Sequence, residues 1–335
     1  MALNHRIVVV GLGSIGRRHA RLLARRGDLQ VEWCESSAEA VTRAQQELGL
    51  PAHVHTSFES MLATRPAMIV VATPHSMHAA QAIAALDAGI HVLCEKPLSD
   101  SLEDARAIAA AALRSSATLA VGFQLHFHPA LRRVKALIDS GELGSVHHVH
   151  CLVGTYVTLV NSQSRYQSRI EGALFMDYAH QPDIFHWLLG QRPTGVYVAA
   201  GQGGRLPLQA NPNFAAITCD FATPVVATIH LNYLQVPDRH DYEIIGDQGW
   251  VSLDMFKGEL RHGRQSDASV KIEHFSTERD PLYEEEHQAF LDAVEGRRKP
   301  ESSTADALVS MEVIAATMAS LHTRKREVLT PVSTV

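Results

Sequence analysis

A doubly wound parallel α/β domain, followed by an α+β domain built on a large and mostly antiparallel sheet, is the fold class this sequence predicts. Three observations predict it. Residues 6 to 122 alternate short β-branched runs with alanine-rich amphipathic stretches, the pattern of a parallel sheet joined by crossover helices. A glycine-rich turn, Gly11-Leu12-Gly13-Ser14-Ile15-Gly16, falls where the first run ends and the first amphipathic stretch begins. Later in the chain, β-rich runs follow one another with only turns between them, which makes antiparallel neighbours.

Strands are expected at Ile7 to Val10, Val31 to Cys34, Met68 to Ala72, His91 to Cys94 and Leu119 to Gly122. Helices are expected near 14–26, 37–48, 76–88 and 101–114, with Gly89 ending the third of them. Beyond residue 123 the pattern predicts a helix near 129–140, a strand from about Val146 and a helix from Leu174 to Leu189. Strands then fall near 195–200, 214–221, 225–234, 241–246 and 249–254, with further candidates to about 275. Helices near 283–296 and 304–322 close the chain. A chain of 335 residues exceeds the usual size of one core, so two domains are expected, at 1–122 and 123–335.

Composition excludes several roles. The formal charge is −6, and the one basic cluster, Arg17, Arg18, Arg21, Arg25 and Arg26, lies on a single early helix whose arginine face is expected to be solvated. Nucleic-acid binding, which needs a basic stripe, is not expected. The first strand begins too early to leave room for a signal peptide, and apolar stretches such as Ala107 to Leu113 fall short of a membrane span. Cys34, Cys94, Cys151 and Cys219 stand far apart with no CxxC pair, which suits a reducing, cytoplasmic setting. His148 and His150 would share one strand face, but no third ligand accompanies them, so no metal is expected.

Three constellations carry chemistry. In the glycine turn, Gly11, Gly13 and Gly16 allow a sharp bend, close approach of a pyrophosphate and helix-on-strand packing, while the N–H groups around Ser14 and Ile15 face the anion. Glu35, at the tip of the second strand, would bind the ribose diol and repel a 2′-phosphate, and Ser36 and Ser37 offer no arginine in its place. NAD is therefore favoured over NADP. Glu95-Lys96-Pro97 sits at the carboxyl edge of the fourth main strand, where such sheets bind ligands. A lysine there can polarise a substrate hydroxyl. Asp177, His180 and Asp183, three apart, would lie along about a third of a helix circumference, with the histidine able to trade protons near neutrality. Pro182 inside that segment predicts a kink or a fresh helix start.

These constellations, in this order, resemble the glucose-fructose oxidoreductase, inositol dehydrogenase and MocA family (Gfo/Idh/MocA) over nearly the whole chain. The resemblance includes Val71-Ala72-Thr73-Pro74 with His78, the stretch Ala88 to Leu98, Gly122-Phe123-Gln124 and His128-Pro129-Ala130-Leu131. It continues through Gly141-Glu142-Leu143-Gly144, Glu171 to Gly190, Gly246-Asp247-Gln248-Gly249 and Asp306-Ala307-Leu308. It implies a Rossmann domain joined to an open-faced sheet domain, with subunits associating as a homodimer or homotetramer through that sheet, whose exposed face is expected to be broadly apolar. It further implies that Lys96, His180 and Asp177 are catalytic, that Glu95 is the acid beside the lysine, and that Asp183 is the acid three residues after the histidine. Thr73, Pro74 and His78 join the cofactor contacts with Glu95 and Lys96. The chain departs from the family in having Met176 where an aspartate is common, with Asp177 instead, and His126 in place of an arginine. The helix-opening glycine run is reduced to Glu171-Gly172-Ala173.

The implied activity is a dehydrogenase or reductase acting on CH–OH groups, moving a hydride between nicotinamide and a secondary alcohol or ketone of a sugar, cyclitol or sugar derivative. Substrate contacts are expected from Lys96, His126, Tyr156, Arg165, Asp177 and His180, with Tyr166 and Tyr233 nearby. The competing readings are a reductase of a non-sugar carbonyl or diol and a non-catalytic dinucleotide-binding regulator.

Overall fold

The structure is a computed structural model that describes residues 6–162, 166–205, 207–267 and 269–329. It divides into two compact units. One holds the described residues up to Phe127 together with Glu278–Met311, and the other holds His128–Thr277 and the described residues from Glu312 onward. The expected single boundary at residue 122 therefore gives way to a division in which the chain returns to the first unit late in its course. The reason is packing. Phe290 and Leu291 of the penultimate helix join the core of Ile7, Val9, Leu23 and Trp33, a long-range contact with no local signature.

The first unit runs β1 (Arg6–Val10), α1 (Ser14–Ala24), β2 (Gln30–Cys34), α2 (Ala38–Leu48), β3 (Val54–His55), α3 (Phe58–Ala63), β4 (Met68–Val71), α4 (His75–Asp87), β5 (His91–Glu95), α5 (Leu102–Arg114) and β6 (Leu119–Gly122). The strands are parallel in the order β3-β2-β1-β4-β5-β6, so the switch point lies between β1 and β4, where the glycine turn begins. β1 and β4 are buried almost throughout, as a sheet covered on both faces requires. β3 and α3 escaped the sequence reading because two and six residues are too short to show a period. Ala88 caps α4, and Gly89 follows it at φ +75° in the left-handed region.

The second unit contributes α6 (Pro129–Asp139), β7 (Val146–Gly154), α7 (Val157–Asn161), α8 (Ala173–Asp177), α9 (His180–Leu189), β8 (Pro193–Gly201), β9 (Phe214–Phe221), β10 (Val226–Asn232), β11 (Arg239–Gly246), β12 (Gly249–Asp254), β13 (Glu259–Arg264) and β14 (Val270–His274). Then come α10 (Asp280–Val294) of the first unit, α11 (Thr304–Thr323), which passes from the first unit to the second, and β15 (Glu327–Val328). The nine-stranded sheet has the order β14-β13-β12-β11-β7-β10-β9-β8-β15 and is antiparallel except for the β7–β10 pair. One face carries the core, with Val149, Cys151, Ile217, Ile229, Tyr242 and Ile244 buried.

Three features differ from what the sequence predicts. The opposite sheet face, expected to be broadly apolar, alternates His148, His150, Thr228, His230, Asp241, Glu243 and Ser252 with scattered exposed Phe214, Val226 and Ile245. The arginine face of α1 is only partly left to water: Arg25 is exposed, while others are half-buried against partners. Arg21 pairs with Asp280 at 2.8 Å, Arg26 reaches Gln288 at 2.9 Å, and the Arg18 guanidinium lies 5.2 Å from the Tyr283 ring centre. Finally α11, 20 residues long with a mean hydropathy of 1.3, is long and apolar enough to cross a bilayer, but half of that window is buried inside the protein. Its apolarity serves packing, since Val309, Met311, Val313 and Ile314 are all buried.

Candidate active site

The glycine turn is built as its residue types demand. Gly11 has φ +91°, and a side chain there would place Cβ 2.9 Å from the Ala72 carbonyl oxygen. At Gly16 the same Cβ would lie 1.8 Å from the Gly11 carbonyl oxygen, so only glycine lets α1 pack against the turn. Gly13 differs: among the described residues nothing lies within 4 Å of its would-be Cβ, leaving that side of the backbone open to a ligand. No side chain among the described residues caps the start of α1, so the N–H groups at Ser14 and Ile15 are left for an anion. Glu35, expected to bind the ribose diol, anchors the turn. Its Oε2 accepts the Leu12 N–H at 2.9 Å and its Oε1 accepts the Ser37 N–H at 2.9 Å. Two backbone donors thus orient the carboxylate, and each oxygen keeps a lone pair for a diol.

At the neighbouring strand ends, Thr73 donates its hydroxyl to Gln81 at 2.7 Å. His78, placed by the sequence among the cofactor contacts, is fully buried, with Nε2 2.9 Å from the Thr73 carbonyl and Nδ1 3.0 Å from the Pro97 carbonyl. Burial outweighs those carbonyls and lowers its pKa, so the neutral ring donates to one of them at a time. His78 thereby staples the segment after β4 to the segment carrying Lys96. Lys96 is half-buried directly after β5, and its N–H donates to Glu95 Oε2 at 3.1 Å. His75, beside it, is pushed down to about 4, first by burial and then by His78 and Lys96, so it is neutral at physiological pH. His126 is buried, stacked on Phe123 and 3.2 Å from the Ser302 hydroxyl.

In the second unit the expected single helix through Asp177 and His180 is broken. α8 ends at Asp177, Tyr178 adopts φ −103° and ψ 30°, and α9 restarts at His180 with Pro182 in its first turn. A proline is tolerated in a first turn because the N–H it lacks has no helical partner there. The break removes Asp177 and His180 from one helical stripe. Asp177 is held instead by the Tyr166 and Tyr233 hydroxyls and by Gln167 Nε2 at 3.1 Å. Two expected pocket tyrosines therefore serve first as donors to this carboxylate, and Gln167 is a partner the sequence reading missed. His180 and Asp183 are buried on α9. The next residue, Gln181, fixes the start of that helix on the sheet: its Oε1 accepts from Tyr242 at 2.6 Å and from the Cys151 thiol at 3.0 Å. Tyr156 accepts the Leu208 N–H at 3.4 Å, and Arg165 lies outside the described residues.

The chain segments of the resemblance also meet within the second unit. Asp247 Oδ1 accepts the Ser145 N–H at 2.9 Å, and the Gln248 N–H donates to the Leu143 carbonyl at 3.0 Å. His148 and His150 share a sheet face as expected, both against the Thr228 hydroxyl.

A 3-2-1-4-5-6 sheet with its glycine turn at the switch point, a carboxylate ending β2 and a second open-sheet unit define an NAD-binding Rossmann oxidoreductase. Residues 5–123 match the family model described as "Oxidoreductase family, NAD-binding Rossmann fold", and residues 131–252 match "GFO/IDH/MocA C-terminal domain". The chain belongs to the Gfo/Idh/MocA oxidoreductase family. It is 28% identical to scyllo-inositol 2-dehydrogenase (NAD(+)) of Bacillus subtilis, with 93% of each chain covered. The fold is similar to that of an Agrobacterium radiobacter oxidoreductase solved with NAD+, L-tartaric acid and magnesium (TM-score 0.87, 16% identity, 97% and 98% of the two chains). It is also similar to myo-inositol 2-dehydrogenase of Lactobacillus plantarum (TM-score 0.83, 21% identity, 97% and 99% covered).

Proposed function

We propose that this protein is an NAD-dependent dehydrogenase of a cyclitol, sugar or sugar derivative, with Lys96 and His180 handling the hydroxyl proton. The observation that carries the reading is the placement of Lys96 at the carboxyl edge of β5, clamped through its backbone by Glu95. The similarity to a scyllo-inositol dehydrogenase over 93% of the chain supports the substrate class. The bound nicotinamide supplies the hydride acceptor. The protein supplies position and proton transfer: Lys96 donates a hydrogen bond to the carbinol oxygen, and His180 accepts its proton. Asp177, fixed by Tyr166, Tyr233 and Gln167, is assigned to a substrate hydroxyl. Four free, buried cysteines fit a cytoplasmic setting. A turnover screen of cyclitols, sugars and uronic acids with NAD and NADP tests the assignment. NAD binding without turnover of any of them would favour the regulator reading instead.

Cofactor choice follows from Glu35. Titration calorimetry should give tighter binding of NAD than of NADP, and Glu35→Ala should narrow the difference by on the order of 10-fold as a charge-assisted bond is lost. Equal affinities in the unmodified protein would defeat the prediction. We also propose that the open sheet face pairs with a second subunit. Its polar and titratable surface, rather than a broad apolar one, predicts an association that weakens with salt. Light scattering should give a dimer or tetramer mass, and a monomer at micromolar concentration would refute it.

A further inference from the structure

Beside Glu95, in the first unit, lies a chain of buried titratable groups that the proposed function does not use. His19 of α1 is fully buried, with its Nε2 2.9 Å from Glu95 Oε1 and its Nδ1 2.7 Å from Nε2 of His287 on α10. The other Glu95 oxygen accepts the Lys96 N–H. Glu286, next to His287, is also buried. Neither of its oxygens has a hydrogen-bond partner among the described residues, and it lies close enough to His19 and Glu95 for the three to surround a small ion. Two of those three are already bonded to each other, however. Glu286 is driven toward its neutral acid, first by burial and then by the Glu95 charge, so the cluster is better suited to holding protons than a cation.

The direction of the chain follows from His287. Burial, then His19 and Arg26, push its pKa well down, so the ring carries one proton. A neutral His287 that donates Nε2–H to His19 Nδ1 leaves the His19 proton on Nε2, aimed at Glu95. Glu95 then receives one N–H from each side, from His19 and from Lys96.

We propose that His19, oriented by His287, is a positioning residue for Lys96: it holds the Glu95 carboxylate in the orientation that clamps the Lys96 backbone. The proposal rests on the reading of Lys96 as a proton-handling residue. The groups facing Glu95 are His19 from α1, Lys96 from its own segment, His75 and His78 from α4, and Tyr283 and Glu286 from α10. Burial pushes the Glu95 carboxyl up. The His19 ring bonded to the carboxylate, followed by Lys96, outweighs burial and leaves it below the usual range. Without His19 the carboxyl takes up a proton at higher pH and the clamp loosens.

The test uses the full-length protein saturated with NAD. His19→Leu should lower kcat on the best polyol of the screen by on the order of 10²-fold, the usual cost of a small misplacement, with NAD affinity retained. The acid limb of its kcat/KM profile should move to higher pH. His19→Gln, which returns an N–H to Glu95, should recover most of the loss, and His287→Leu should move the profile in the same direction. A second readout needs no substrate. At neutral pH the infrared spectrum of His19→Leu should show one more protonated carboxyl than the unmodified protein, and adding Glu95→Gln should remove it. An unchanged carboxyl band, or a normal kcat and pH profile in folded His19→Leu, overturns the proposal. If His19→Leu does not fold, the same two measurements on His287→Leu decide it. Retained turnover in Lys96→Ala instead overturns the reading of Lys96 and leaves the infrared result standing.

Discussion

Lys96→Ala and His180→Ala should each lower kcat by on the order of 10² to 10⁴, the range for positioned acid-base groups, with little loss of NAD affinity. On the proposed reading both act on one hydroxyl, so the double variant should be little worse than the more damaging single one. The two residues sit in very different settings. Lys96 is half-buried after β5 and clamped through its own backbone, so truncating its side chain leaves the Glu95 contact with the Lys96 N–H in place. His180 is buried at the first position of α9, and Gln181 beside it ties that helix to Tyr242 and Cys151. A purely packing role for His180 therefore makes a different forecast: the alanine variant would melt earlier while kcat held. Thermal melting, NAD titration and steady-state kinetics on the same preparations separate the two. Folded variants with near-normal kcat would remove both residues from the mechanism.

The second large effect belongs to the glycine turn, where stability and binding should come apart. Gly16→Ala puts a carbon 1.8 Å from the Gly11 carbonyl oxygen, a backbone atom that cannot swing aside. The cost should be about 3 kcal/mol or more, since α1 must shift off the sheet. A lower melting temperature and loss of NAD binding are expected together. Gly13→Ala adds the same methyl where no described residue lies within 4 Å, at an ordinary φ of −63°. It should leave stability within about 0.5 kcal/mol and still weaken NAD binding, because the open side of Gly13 is the approach proposed for the pyrophosphate. Equal melting losses for the two variants would contradict this division of roles, and so would intact NAD affinity in Gly13→Ala.

Much of the architecture was legible in one dimension. The β-branched runs at Ile7, Val31, Met68, His91 and Leu119 predict five of the six parallel strands, because buried strands need short apolar runs and their crossover helices need a repeating apolar face. The glycine spacing and Glu35 were readable because a dinucleotide constrains the backbone directly and few residue types meet the demand. The helix through Asp177 was less legible. Pro182 announced an irregularity, but the break falls at Tyr178, where the Tyr166 and Tyr233 hydroxyls and Gln167 collect around Asp177. Those partners lie 11, 56 and 10 residues away in sequence.

The sequence by itself determined the order of strands and helices, the dinucleotide turn and the residues available for chemistry, since each depends on local period, backbone freedom or residue type. Only the tertiary structure decided which of those residues are tied together. His19 is 76 residues from Glu95 and 268 from His287, yet the three form one hydrogen-bonded chain because α10 returns to pack beside α1. That return also gives Arg21, Arg26 and Arg18 of a half-solvated face their partners Asp280, Gln288 and Tyr283. A buried polar group must find a partner wherever the fold supplies one, and no local pattern says how far along the chain that partner lies.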